Sequence, residues 1–89
     1  MEQIVATFYQ FVELPDHEDF GERLKKQCEE SEVLGTIILA SEGINATIAG
    51  PKKGIGEVMT FLRTDKRLPR MAHRESVTER LVFHRLRII

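Results

Sequence analysis

Four groups of residues have side chains that could do chemistry: a lone cysteine, three histidines, an acid and an amide around a glycine, and a late run of arginines. Cys28 is the only cysteine, so neither an internal disulfide nor a multi-thiolate zinc site can form within the chain. It also continues the spacing of Phe20 and Leu24, the buried stripe of a helix, where a thiol acts as a small hydrophobe. His17, His73 and His84 are far apart, with no His-x-x-x-His pair and no Cys-x-x-Cys, so no metal centre is expected. His17 is expected at the surface near a helix start, whereas His73 and His84 fall on extended segments in basic surroundings and could touch a partner. No combination of residues makes a catalytic triad or an activated thiol, and no cofactor site can be named.

The acid and the amide lie in LASEGINATIAG, residues 39–50. Gly43 suits a tight turn that needs positive φ, and Gly50 closes the following strand. Ser41, Glu42 and Asn45 then stand at one end of a sheet, where a carboxylate and an amide can bind each other, the backbone or a ligand. A well-formed hairpin alone would account for the same residues. The arginines belong to a wider asymmetry hidden by a net charge of −1. Residues 1–32 carry nine acids against Arg23, Lys25 and Lys26, while residues 63–89 carry eight bases, seven of them Arg, against Asp65, Glu75 and Glu79. Arginine suits forked contacts to phosphate or carboxylate. The basic third could neutralise the acidic third within one fold, or some of its arginines could face phosphate. Along the extended end of the chain Arg85 and Arg87 fall on one side of the alternation, with Glu29 and Glu30 as the internal alternative to a ligand.

The elements that must position these groups follow a simple order. Residues 4–14 (IVATFYQFVEL) are β-branched and aromatic and end at Pro15, as a strand does. Asp16 can cap a helix over about 16–31. Residues 33–40 read as a near-continuous apolar strand, and residues 44–49 alternate, with Ile44, Ala46 and Ile48 inward and Asn45, Thr47 and Ala49 outward. Ile55, Val58, Met59 and Leu62 have helical spacing over about 52–64. Leu68-Pro69 breaks the chain before a weaker strand near 70–77, and residues 81–89 read as extended.

The order β-α-β-β-α-β with one more extended piece is the ferredoxin-like, acylphosphatase-like α+β arrangement: two helices on one face of an antiparallel sheet. The hairpin of 33–40 and 44–49 is its only direct strand connection. The strand at 4–11 is expected at the centre of the sheet, paired across a crossover with the strand that follows the first helix. Phe20, Leu24, Ile37, Leu39, Ile48, Ile55, Met59 and Leu62 should form the core. Eighty-nine residues leave room for one domain, and 42% hydrophobic with 30% charged residues is a globular balance. There is no apolar run of membrane-spanning length and no signal peptide at the start, so a cytoplasmic location without membrane contact is expected. The chain stops within an apolar extended run, which suggests the front part of a longer protein.

Several trades use this fold. An acylphosphatase needs a glycine-rich phosphate loop with an arginine after the first strand; residues 13–19 (ELPDHED) have neither and carry four acids, so that activity is not expected. RNA-recognition domains stack bases on aromatics of two central strands. Phe8, Tyr9 and Phe11 supply one strand, residues 44–49 supply no aromatic, and core or inter-domain packing is the simpler expectation for the three rings.

ASEGINATIAG, preceded by FYQFVELPD and followed by FHRLRI, resembles the N-terminal domain of the rhodanese-containing tRNA uridine hydroxylase family, over essentially the whole chain. The resemblance implies a parent oxidoreductase that hydroxylates the wobble uridine of tRNA with oxygen, its reactive cysteine in a rhodanese domain after this one. No catalytic residue then lies in these 89 residues. It directs attention to Ser41, Glu42, Gly43, Ile44 and Asn45. The expected role is an accessory domain that helps to bind tRNA, with Ser41, Glu42, Asn45, Arg85 and Arg87 as substrate contacts, or that packs on the rhodanese domain. The alternative is a purely structural interaction domain that never meets RNA.

Overall fold

The computed structural model describes residues 2–80 and 83–89. The elements are β1 (Gln3–Phe11), α1 (His17–Glu30), β2 (Leu34–Ala40), β3 (Gly43–Gly50), α2 (Lys52–Thr64), β4 (Arg74–Thr78) and β5 (Leu86–Ile88). They form one five-stranded sheet in the order β4-β1-β3-β2-β5, with α1 and α2 on one face. This is the expected ferredoxin-like arrangement with two differences. β1 does not pair with β2: β3 lies between them, because the β1–α1–β2 crossover skips one strand position and the hairpin folds β3 back into the gap. The extra C-terminal segment pairs in parallel with β2, so the sheet is mixed rather than wholly antiparallel. Leu81 and Val82, the start of the expected extended run, lie outside the described residues.

Period-2 alternation decides which side chains enter the core. Ala6 and Phe8 of β1, Ile37 and Leu39 of β2, and Ile44, Ala46 and Ile48 of β3 point toward the helices and are buried. They meet Phe20, Leu24 and Cys28 of α1 and Ile55, Val58, Met59 and Leu62 of α2, with Leu86 and Ile88 of β5 packed at the margin. All eight residues expected in the core are there. Each such side chain contributes about 1.5–3 kcal/mol by leaving water.

Two local features set the helix ends. α1 leaves through Ser31 and Glu32, whose φ of 59° is left-handed; the N–H groups of Glu32 and Val33 donate to the carbonyls of Glu29 and Cys28. Those bonds close a Schellman turn with glutamate where glycine is usual. At the other end Asp16 holds the N-cap position, yet its side chain makes no cap hydrogen bond. The expectation of a carboxylate cap fails because Arg67 takes that carboxylate, and Arg23 lies 3.8 Å from it. β1 also ends earlier than expected, at Phe11, and beyond it Val12 and Leu14 donate to the carbonyls of Glu42 and Ser41.

Arg67 ties the end of α2 to the start of α1. Its guanidinium donates to Asp65 at 2.8 Å as well as to Asp16, and lies 5.6 Å from the centroid of the Phe20 ring. Phe20 in turn stacks on Phe61 at 5.9 Å. Hydrogen bonding to Arg67 lowers the pKa of Asp65 from 3.8 to about 2, and it lowers that of Asp16 too. A folded-state pKa below the unfolded value stabilises the fold above the unfolded pKa and is lost as pH falls through the folded one. The Asp65→Asn variant is therefore expected to melt below the parent chain above about pH 4, by about 1 kcal/mol. The gap between the two melting temperatures should close between about pH 4 and about pH 2. A gap that stays constant across that interval would show that the charge of Asp65 does not matter.

Candidate functional site

Among the described residues no helix covers the face of the sheet turned away from α1 and α2, although Ala49 at one end of it is buried, and strand register orders its side chains into rows. Thr7 pairs with both Arg74 and Thr47, Thr47 with Thr36, and Thr36 with Arg87. One row thus runs across all five strands as Arg74–Thr7–Thr47–Thr36–Arg87. With strands about 4.8 Å apart, its terminal Cα atoms are about 19 Å apart. The next row, about 7 Å along the strands, is Tyr9–Asn45–Ile38. Beyond it come Phe11, Gly43 and Ala40, at the end where β2 turns into β3. No acid lies on this face within the strands; Glu75 of β4 pairs opposite Ala6, on the helix side.

The face is apolar at one end. Tyr9, Phe11 and Ile38 are 69%, 83% and 47% exposed, high values for large hydrophobic side chains in strands. Tyr9 and Phe11 meet edge to face with ring centroids 6.1 Å apart. Of the three first-strand aromatics, only Phe8 is in the core. Gly43 permits this corner: at φ 151° a Cβ would come within 2.2 Å of the Gln10 carbonyl oxygen. Glu42, Asn45, Tyr9, Phe11, Ile38 and Ala40 border a shallow depression there.

The residues singled out from sequence divide accordingly. Asn45 is exposed beside Tyr9, its direct partner in the β1–β3 ladder, and Glu42 stands at the rim of the same depression. Ser41 and Glu42 also accept from Leu14 and Val12 through their backbone carbonyls, which gives both a structural duty. Arg87 points to the open face. Arg85 sits in a bend just before β5, exposed, with its carbonyl accepting from Gly35, so strand alternation does not bind it to Arg87's side. Neither Arg85 nor Arg87 forms an ion pair with Glu29 or Glu30 among the described residues.

The basic third is partly spent inside the fold. Arg67 neutralises Asp16 and Asp65, and Arg63 donates to the Met71 carbonyl and lies 2.9 Å from Nδ1 of His73. His73 contacts Glu75 through its other ring nitrogen, so it is held within the chain rather than presented to a partner. Arg74 and Arg87 remain on the open face, without an ion pair among the described residues. Sequence reading passed over Arg74 and the three threonines. Each is an ordinary outward position of one strand, and only the cross-strand register aligns them.

Residues 3–89 match the model of a family described as the UPF0176 acylphosphatase like domain. Among curated relatives, a protein named tRNA uridine(34) hydroxylase from Albidiferax ferrireducens is 45% identical over 87 residues. That match takes in 98% of this chain and 27% of the relative. One of the same name from Wolbachia pipientis is 41% identical, over 99% of this chain and 32% of its own length. The chain thus spans about a third or less of the length of these relatives. Among solved structures, the acylphosphatase from Coxiella burnetii aligns with TM-score 0.67 at 15% identity, covering 99% of this chain and 93% of that one. A BLUF protein, BlrB, aligns with TM-score 0.70 at 17% identity, covering 99% of this chain and 72% of that one. These likenesses establish the fold. The connection from β1 to α1 has the acids Glu13 and Asp16 and no arginine or glycine, so the fold comes without a cationic phosphate loop at that point.

Cys28 is fully buried, and burial pushes its thiol up to about 12, with the charge of Glu29 adding to the effect. A thiol that stays protonated is a poor nucleophile. Replacing it with Ala should cost about 1 kcal/mol or somewhat more, the price of a small buried side chain. In the native chain iodoacetamide should leave Cys28 unmodified at neutral pH. Rapid alkylation of folded protein would contradict the structural role.

Proposed function

We propose, because the chain belongs to the UPF0176 acylphosphatase-like domain family, that it is an accessory domain of a tRNA uridine hydroxylase and contacts tRNA through its open sheet face. The observation that carries this reading is the Arg74–Thr7–Thr47–Thr36–Arg87 row, cationic at both ends, lined with hydroxyls between, on a face without acids. Arginine and threonine side chains are the usual donors to phosphate and sugar oxygens, and such contacts position a nucleic acid without reading its sequence. The relatives' name supplies tRNA as the substrate class.

Chemistry belongs to the rest of the parent protein in this reading. The thiol of Cys28 is buried and held protonated, and no metal-ligating group of three occurs among the described residues. A rhodanese domain following β5 would hold the reactive cysteine, and this domain would bind and orient the tRNA against it, in the cytoplasm. A second reading rests on Ile38 and Ile89, exposed apolar side chains at the β2–β5 corner where the chain would leave toward that domain, with Phe11 of β1 exposed at the same end of the open face. This corner would pack on the catalytic domain, and the cationic row would be left over as charge balance.

The two readings differ in their response to salt. RNA contact releases counterions, so log affinity falls with log salt in proportion to the phosphates neutralised. In the full-length protein, Arg74→Ala/Arg87→Ala should weaken tRNA binding and flatten that slope by somewhat under two units. Arg85→Ala added to this pair should flatten it by less than one further unit. Unchanged affinity and slope in the double variant would remove the RNA role of this face and leave domain packing.

A further inference from the structure

Tyr9, Asn45 and Ile38 lie side by side on three adjacent strands, one row from the arginine–threonine row. We propose that this trio holds one unpaired nucleobase of a single-stranded RNA segment, stacked on the Tyr9 ring and hydrogen-bonded along its edge by the Asn45 amide. The inference rests on the tRNA-contact reading above and gives that contact a chemical class: unstacked, unpaired bases rather than duplex.

A phenol ring 69% exposed in the middle of a strand is held in water at a cost, and its face is available for stacking. Phe11 braces it edge to face, so the ring is positioned rather than free. Ile38, two strands over, gives the row an apolar far wall. Between them Asn45 has no side-chain hydrogen bond among the described residues, and its amide offers two donors and an acceptor. The Watson–Crick edge of a base offers complementary groups to such an amide only while the base is unpaired. The adjacent row supplies threonine hydroxyls about 7 Å away, with an arginine one strand further out at each end, where the sugar–phosphate of the same strand would run. Stacking plus backbone contact is the usual way proteins hold single-stranded RNA. A protein partner is less well matched, because the row beside the aromatic corner is polar throughout, with a cation at each edge.

The chain supplies its own probe. Tyr9 is its only tyrosine and it has no tryptophan, so intrinsic emission reports this position alone. The chain has a continuous core of its own and can be tested as it is. The titrants are a short oligouridylate, an abasic strand with the same number of phosphates, and a blunt RNA duplex. Oligouridylate should quench Tyr9 emission at saturation, and the abasic strand should not. Tyr9→Ala should weaken oligouridylate binding about tenfold, measured by anisotropy of a labelled strand, while Tyr9→Phe stays within about twofold. Asn45→Ala should weaken oligouridylate and leave the abasic strand unaffected. Circular dichroism melts confirm that each variant folds, as expected for exposed side chains.

If oligouridylate and the abasic strand bind equally, with salt dependence intact and Tyr9→Ala without effect, base stacking is wrong but the phosphate contact stands. If no RNA binds to this chain or to the full-length protein, both readings fall. If RNA leaves Tyr9 emission unchanged while the remainder of the parent protein, added in trans, quenches it, the trio is a protein interface and the inference is overturned.

Discussion

Every functional statement about this chain depends on a single packing constraint: two helices can cover only one face of a five-stranded sheet. Because side chains alternate along each strand, that constraint sorts them into two sets. The aliphatic set, from Ala6 to Ile48, meets α1 and α2 and supplies the stability of a domain with little surface to bury. The other set is not required for the core, so it can be threonine, asparagine, tyrosine and arginine. Helical cover on the second face would remove the candidate site without touching the core.

The same logic explains how charge is distributed. Arg67 and Arg63 lie near or beyond the end of α2, and their guanidiniums hold that end to the start of α1 and to the loop before β4. Arg74 and Arg87 lie on outward positions of the two edge strands, beyond reach of the acids of α1 behind the sheet. One arginine-rich segment therefore serves two purposes, divided by which side of the sheet each residue faces. The acids of residues 1–32 serve chiefly the helix side, where Asp16 meets Arg67 and Asp19 meets Arg23.

Much of this was legible beforehand. Hydrophobic spacing places α1 and α2 within a residue or so of their ends, and the alternation of residues 44–49 assigns Asn45 to the outer face. What was not legible was lateral. Nothing local to 33–40 says that its neighbour opposite β3 is β5 rather than β1, because pairing across a crossover is decided by the whole topology. The cationic row escaped notice for the same reason: its five members are spread from Thr7 to Arg87 and no two are neighbours in sequence. Tyr9, expected against a core or another domain, is outside the core of this chain, because Phe8 beside it takes the inward position. Asp16 as a helix cap failed through a long-range competitor, Arg67, which no local rule contains.

In the proposed function RNA meets the open sheet face and not the helices. Backbone amide chemical-shift mapping of the 89-residue chain, titrated with a tRNA anticodon stem-loop, addresses it directly. The account predicts perturbations concentrated at Thr7, Tyr9, Thr36, Asn45, Thr47, Arg74 and Arg87, with α1 and α2 unmoved. Shifts confined to the helices, or none at saturating RNA, would contradict it.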